Sequence, residues 1–366
     1  MTARDFPTGP DELTAEWLTG ALRSAGVLHD SKVTGLDISP VGVGIGMLGV
    51  LCRVGLTYDT PEPGAPASVI GKFATPIEGN RFVAMAYRMY EREVNFYRRI
   101  APRVGVAAPK CYAGEVEPVS GDCVLLLEDL SAYRTGDQVV GCTAQEAITI
   151  IDAVVPLHAA FFRKTDDNEM LEGVPHMDGE LQSAGITAGC VAGWDPVMAL
   201  FGHVVADEIK NRKDEFLAAV PELHNMLGYE AQSAVHGDLR LDNLMFGTAP
   251  DQHPVVLLDW ALSISTPLQD MAYLLSQNLT IEERRAHEEE LLQHYYDKLV
   301  SLGVTDYSLE ECWKAYKVAA LYLFCYAVVI AGTLDPSNER GKAFMEQLVS
   351  RSSAMLMDHD LLSLLP

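Results

Sequence analysis

The order of apolar and polar positions divides this chain into a strand-rich first third and a helix-rich remainder. Thr14 precedes TAEWLTGALRSAG-type helical spacing, with Glu16 in the first turn and Gly26 at the end, and predicts a first helix that reads as a lid or N-terminal extension. Residues 50–58 and 68–74 are short β-branched and aromatic runs joined by the Pro- and Gly-rich TPEPGAPA, and residues 123–127 are an unbroken apolar run. All three predict strands. Between them, Phe82, Met85, Met89, Phe96 and Ile100 recur at helical spacing and predict one helix over residues 81–100. Two positions break the pattern: Lys72 stands in the middle of an apolar strand, and Glu93 falls on the apolar stripe of that helix. Either charge buried alone would be destabilising by several kcal/mol, and one ion pair between them resolves both anomalies; two charges snorkelling to the surface are the plainer alternative.

In the second half, residues 145–162 predict a helix kinked at Pro156, in which His158 on an apolar face reads as a hydrogen-bonded core residue. Residues 163–233 hold the Gly-rich SAGITAGCVAGWDP, a helix near residues 197–217 and no recognisable chemistry; Trp194, Asp195 and His203 are candidates for substrate contact by residue type alone. Three further helical segments close the chain, separated by Gly, Asp-Tyr-Ser and Asp-Pro breaks.

The chemistry concentrates in residues 234–260, AVHGDLRLDNLMFGTAPDQHPVVLLDW. Leu244–Phe246 and residues 255–258 are apolar runs, and the Gly, Pro and Asp of residues 247–254 mark the loop of a hairpin. Antiparallel pairing sets Asn243, at the start of the first strand, beside Asp259, at the end of the second, with Asp238 in the preceding loop. Two carboxylates and an amide converging on one point suit Mg²⁺, which takes one or two protein carboxylates and keeps waters or substrate phosphates; zinc would call for Cys or His. The bland reading is a pair of turn residues and a strand end. His236 reads as a residue that pins the loop.

The spacing His236-Gly237-Asp238-x4-Asn243, followed by Leu258-Asp259-Trp260, resembles the aminoglycoside phosphotransferase and choline kinase superfamily. Tyr295-Tyr296, Tyr307-Ser308 and Glu339-Arg340-Gly341 are more similar to its ecdysteroid-kinase-like branch. The resemblance implies an α+β, bilobal protein-kinase-like fold: an N-terminal nucleotide-binding lobe over residues 1–130, with an antiparallel sheet and a helix, and a larger, mainly helical catalytic and substrate-binding lobe over residues 131–366. It implies ATP as phosphoryl donor, Asp238 as catalytic base, Asn243 and Asp259 as Mg²⁺ ligands, Lys72 on the α and β phosphates, and Glu93 orienting it. Asp270 looks like a second family Asp that braces the loop. The GxGxxG of Gly44, Gly46 and Gly49 precedes a strand, where a dinucleotide fold would need a helix, so it reads as a hairpin over phosphates or as a plain tight turn. Glu128 and Leu130 mark the hinge where adenine would bind. A protein kinase would carry an Arg at position 237 and an activation segment after position 260, and this chain has neither. A non-catalytic nucleotide-binding regulator is the alternative to a small-molecule kinase.

Charge narrows the partners. The formal net charge is −24, with −6 over residues 1–160 and −18 over residues 161–366, which argues against nucleic acid. The acidic second half would draw in a cationic substrate or serve solubility alone. Seven scattered cysteines without a CxxC pair point to a reducing, cytoplasmic compartment. The N-terminus lacks a secretory signal. The apolar run of residues 318–332 is short for a membrane span and reads as a core helix. The expected partner is a small molecule with a hydroxyl; the acceptor's identity and the oligomeric state are not specified by any motif.

Overall fold

The computed structural model describes residues 5–42, 48–333 and 338–366. The chain divides into two compact units, one of residues 1–103 and 108–134, the other of residues 104–107 and 135–366.

In the first unit, strands β1 (Val33–Val41), β2 (Gly49–Tyr58), β3 (Ser68–Ala74), β4 (Cys111–Glu117) and β5 (Asp122–Glu128) form one antiparallel sheet in the order β1-β2-β3-β5-β4. Alternation along β3 sends Val69 and Phe73 to one face, where they pack with Val54, Leu126 and the helix α1 (Ala15–Ser24). Leu18 and Leu22 of α1 are fully buried there, and Thr14 Oγ1 caps the helix by accepting from the Trp17 N–H at 3.1 Å. The helix expected as a lid or N-terminal extension therefore packs into the core, because its apolar stripe has a sheet face to cover.

The same period of two turns Lys72 to the opposite face, against α2 (Glu78–Ala86) and α3 (Met89–Asn95). The single helix expected over residues 81–100 is broken: Arg88 adopts φ 53° and its guanidinium pairs with Glu91 at 2.7 Å. The break separates Phe82, which is 73% exposed, from the buried stripe of Phe96 and Ile100. Beyond α3 the helix widens into a π turn over Phe96–Ile100.

The second unit carries helices α4 (Ala144–Phe161), α5 (Glu180–Phe201), α6 (Lys213–Tyr229), α7 (Leu268–Asn278), α8 (Ile281–Ser301), α9 (Leu309–Thr333) and α10 (Glu339–Asp358). Between α6 and α7 lie four short strands, β6 (Ser233–Val235), β7 (Leu244–Phe246), β8 (Val255–Leu257) and β9 (Ser263–Ser265); β6 pairs antiparallel with β9, and β7 with β8. The Gly-rich stretch SAGITAGCVAGWDP lies inside α5. A Cβ at Gly193 would come 2.5 Å from the Val328 carbonyl oxygen, and one at Gly332 2.2 Å from that of Gly193, so the glycines let α5 and α9 touch backbone to backbone. Trp194 is buried beside Phe216 and Phe324, Asp195 pairs with Lys213 at 2.5 Å, and His203 with Glu346 at 2.7 Å. These three candidates for substrate contact hold helices together.

Two segments, Glu180–Val204 and Leu309–Thr333, are long and apolar enough to cross a bilayer by length and composition; 72% of the apolar stretch of α9 is buried among its neighbours, the setting of a core helix. All seven cysteines are free thiols.

Candidate active site

Residues 236–243 join β6 to β7, and α7 fixes this loop at both ends. Every residue of α7 is buried, and two of its polar side chains, Asp270 and Asn278, are spent on the loop backbone. Asp270 accepts from the His236 N–H at 2.6 Å and from the Gly237 N–H at 3.0 Å. Two turns later, Asn278 Oδ1 accepts from the Leu241 N–H at 2.8 Å and its amide donates to the Leu239 carbonyl at 3.4 Å. Burial acts to raise the Asp270 pKa, but the hydrogen bond from His158 and the bonds at the loop outweigh it and hold the carboxyl below its ordinary value. His158 bridges Asp270 and the Tyr295 hydroxyl, 3.1 Å from each, which is the buried structural role expected of it.

His236 pins the loop from inside. Its Nε2 lies 2.9 Å from the Leu258 carbonyl, its Nδ1 accepts from the Asp238 N–H at 3.2 Å, and its ring lies 4.4 Å from that of Trp260. This pairing requires the neutral tautomer with the proton on Nε2, and burial lowers the imidazole pKa accordingly. Trp260 in turn donates from Nε1 to the Leu257 carbonyl at 3.1 Å.

The sequence of the loop then alternates. Leu239 and Leu241 point inward and are buried, while Asp238, Arg240 and Asp242 keep part of their side chains in solvent. Asp238 Oδ2 accepts from Asn243 Nδ2 at 2.8 Å and from Arg240 Nε at 3.2 Å, and Tyr273 of α7 lies near enough to feel this carboxylate's charge. Burial first, and the Asp238 charge second, push the Tyr273 phenol well above its usual pKa. Facing three carboxylates, with Asp238 the largest influence, the Arg240 guanidinium is raised above its ordinary value.

The β7–β8 register pairs Leu244 with Leu257, and the Leu258 N–H donates to the Asn243 carbonyl at 2.9 Å. Asp259 follows directly, exposed and at φ 55°. A bound Mg²⁺ is compatible with these residues: both amide hydrogen bonds of Asn243 run from Nδ2 to Asp238, at 2.8 and 3.0 Å, which leaves Oδ1 as a hard oxygen ligand, and Asp259 supplies a carboxylate. Among the described residues no group of three or more His, Cys, Asp and Glu side chains is arranged around a metal position; two protein oxygens are what a cation that retains several waters requires.

In the first unit Lys72 Nζ meets Glu93 Oε1 at 2.7 Å, with 17% and 10% of the two side chains exposed. The pair expected from two separate anomalies is therefore formed. Gly49 opens β2 against it: a Cβ there would lie 3.6 Å from Lys72 Cε and 3.2 Å from the Phe73 carbonyl oxygen. Gly44 and Gly46 lie outside the described residues. Glu128 ends β5 within the sheet, its N–H donating to the Lys110 carbonyl at 2.8 Å and its carboxylate accepting from the Lys110 N–H at 3.1 Å. Leu130 is buried, and its carbonyl accepts from the Tyr133 N–H at 2.9 Å.

Arg240 and Tyr273 were not among the residues expected at the site. The alternation Asp-Leu-Arg-Leu-Asp over residues 238–242 was the available signal for the first. Tyr273 reaches Asp238 only through tertiary packing and leaves no local trace.

Solved structures of low identity share the fold. Choline kinase from Cryptosporidium parvum Iowa II is 10% identical with a TM-score of 0.54, over 96% of this chain and 98% of that one. Wild-type aminoglycoside 2′-phosphotransferase-IIIa, solved as a GDP complex, is 14% identical with a TM-score of 0.53, over 93% and 98%. Plasmodium vivax ethanolamine kinase is 10% identical with a TM-score of 0.50, over 88% and 81%. No curated protein matches the chain. The sequence pattern of the ecdysteroid kinase-like family matches residues 44–304.

Proposed function

The chain belongs to the ecdysteroid kinase-like family of small-molecule kinase-like proteins, and from that premise we propose that it transfers the γ-phosphoryl group of ATP to a hydroxyl of a small molecule, with Mg²⁺ and in the cytoplasm. The observation that carries the reading is the braced loop, which presents the Asp238 carboxylate with Asn243 turned so that its amide nitrogen faces Asp238.

Asp238 accepts the acceptor's hydroxyl proton as the oxygen attacks phosphorus. Asn243 holds that carboxylate in one orientation and, with Asp259, would hold Mg²⁺. When bound, the metal neutralises phosphate charge and aligns the transferring group. Lys72 carries a second positive charge for the nucleotide phosphates. Glu93 fixes its direction, so that the ammonium is ordered before the nucleotide arrives.

Release of ADP across a panel of sterol-like, sugar, aminoglycoside and amino-alcohol acceptors, compared between wild type and Asp238→Asn, tests this assignment. The variant is expected to bind MgATP as wild type does and to lose about 10²–10⁴-fold in transfer. Transfer within a few-fold of wild type would remove Asp238 from the role of base.

A further inference from the structure

The catalytic loop carries a cation that the reading above leaves without a task. We infer that Arg240 is a further catalytic residue, whose guanidinium clamps the transferring phosphoryl group, and that Asp242 and Arg340 are the positioning residues that hold it. This inference rests on the kinase reading and adds a residue to it.

The geometry points there from two sides. In front, Arg240 Nε lies 3.2 Å from Asp238 Oδ2, the carboxylate that faces the acceptor, and its Nη2 makes no hydrogen bond with the described residues, which leaves donors of a planar fork unspent. Behind, Arg240 Nη1 lies 3.8 Å from Asp242 Oδ2. The other oxygen of Asp242 is held twice, by Arg340 Nη2 at 3.0 Å and by the Gln138 N–H at 3.2 Å. Arg340 also reaches Asp137 at 3.4 Å. The segment at Gln138 is fixed from within: buried Arg351 donates to the Gln138 carbonyl at 2.7 Å and to that of Val139 at 3.0 Å. A row of alternating charges, Asp238, Arg240, Asp242, Arg340 and Asp137, thus runs from the catalytic loop to the first turn of α10.

The chemistry follows from charge. Asp238, Asp242 and Asp259 all act on the guanidinium of Arg240, and without a cation among them these carboxylates would oppose the negative charge that shifts among the phosphoryl oxygens in the transition state. In the step itself, the acceptor oxygen forms its bond to phosphorus while the bond from phosphorus to the bridging oxygen breaks. ADP departs with that electron pair, and the hydroxyl proton passes to Asp238. Arg240 keeps its proton throughout and exchanges the Asp238 oxygen for phosphoryl oxygens as the transition state forms, which frees the carboxylate for the hydroxyl proton.

Calorimetric binding of MgATP and of MgADP with aluminium fluoride, together with steady-state ATP turnover, separates this role from ground-state binding. Arg240→Gln is expected to bind MgATP within a few-fold of wild type, and to lose about 10²–10³-fold both in turnover and in affinity for the transition-state mimic. Arg240→Lys should recover part of both, since the charge returns without the fork. Arg340→Ala should lower kcat about tenfold at unchanged KM, with Arg340→Lys restoring it. Arg240→Gln matching wild type in turnover and mimic affinity would overturn the inference. So would an equal loss of MgATP and mimic binding in both Arg240 variants. Wild type that binds neither ligand would sink the kinase reading itself, and the inference with it.

Discussion

Gly237 shows how much of the site is decided by single residues. It adopts φ 82°, and a Cβ there would stand 2.4 Å from the Ala261 carbonyl oxygen, a backbone atom that cannot rotate away. The arginine that protein kinases place before their catalytic Asp has no room in this loop. Gly237→Ala is expected to lower stability by at least about 1–3 kcal/mol and to displace the Asp238 backbone. A denaturant titration that left the unfolding midpoint unchanged would contradict this. Asp259, at φ 55°, sits in the left-handed region that Asp and Asn tolerate best, so a strand end in that conformation and a candidate ligand coincide in one residue. Asp238, Asn243 and Asp259 were legible because short spacing and a hairpin fix them. Lys72 and Glu93 were legible for another reason, being charges where the pattern demanded apolar residues. Arg240 was legible in principle: between two leucines that must be buried, the intervening positions share the other side of the loop.

At the scale of elements, α7 shows what residue patterns conceal. Asp270 and Asn278 lie eight residues apart, roughly 12 Å along a helix axis, and brace the two ends of the loop. A helix with Gln269, Asp270, Ser276, Gln277 and Asn278 reads as amphipathic, yet all are buried: Asp270 and Asn278 meet loop backbone groups that need partners away from water, while Ser276 donates to the Ala272 carbonyl and Gln277 to that of Leu323. The glycines of α5 show the opposite balance: low helix propensity is outweighed where two backbones must touch. The broken helix at Arg88 was illegible because its apolar spacing continues across the break.

The brace has a pH dependence. The buried His236 imidazole has a lowered pKa, so the unfolded chain binds a proton more readily than the folded one. Its contribution is complete above the unfolded value, near 6.5, and declines as pH falls below it toward the folded value. His224, also lowered by burial, acts with the same sign, whereas Asp270, held below its ordinary value, loses its contribution only below about pH 4. The thermal midpoint is therefore expected to fall between about pH 7.5 and 5, and His236→Gln, destabilised throughout, should show a shallower fall. A wild-type midpoint flat across that range would contradict the neutral, buried assignment of His236.

At the scale of the molecule, the antiparallel sheet of the first unit and the helical second unit follow from the strand and helix periods of the sequence. The side chains that meet the loop from outside it come from helices distant in sequence, Asp270 and Asn278 of α7 and Arg340 of α10, so they leave little local signal. Net charge is equally uninformative there: the −24 of the whole chain coexists with an arginine beside the Asp238 carboxylate. The proposed nucleotide use through Asp259 and Asn243 is put to the test by calorimetric titration of ATP into wild type and Asp259→Ala, with and without Mg²⁺. Mg²⁺-dependent binding to wild type, weakened about tenfold or more in the variant, is the expected outcome. Wild type that fails to bind at roughly millimolar ATP, the weak end of ordinary substrate affinities, would contradict it.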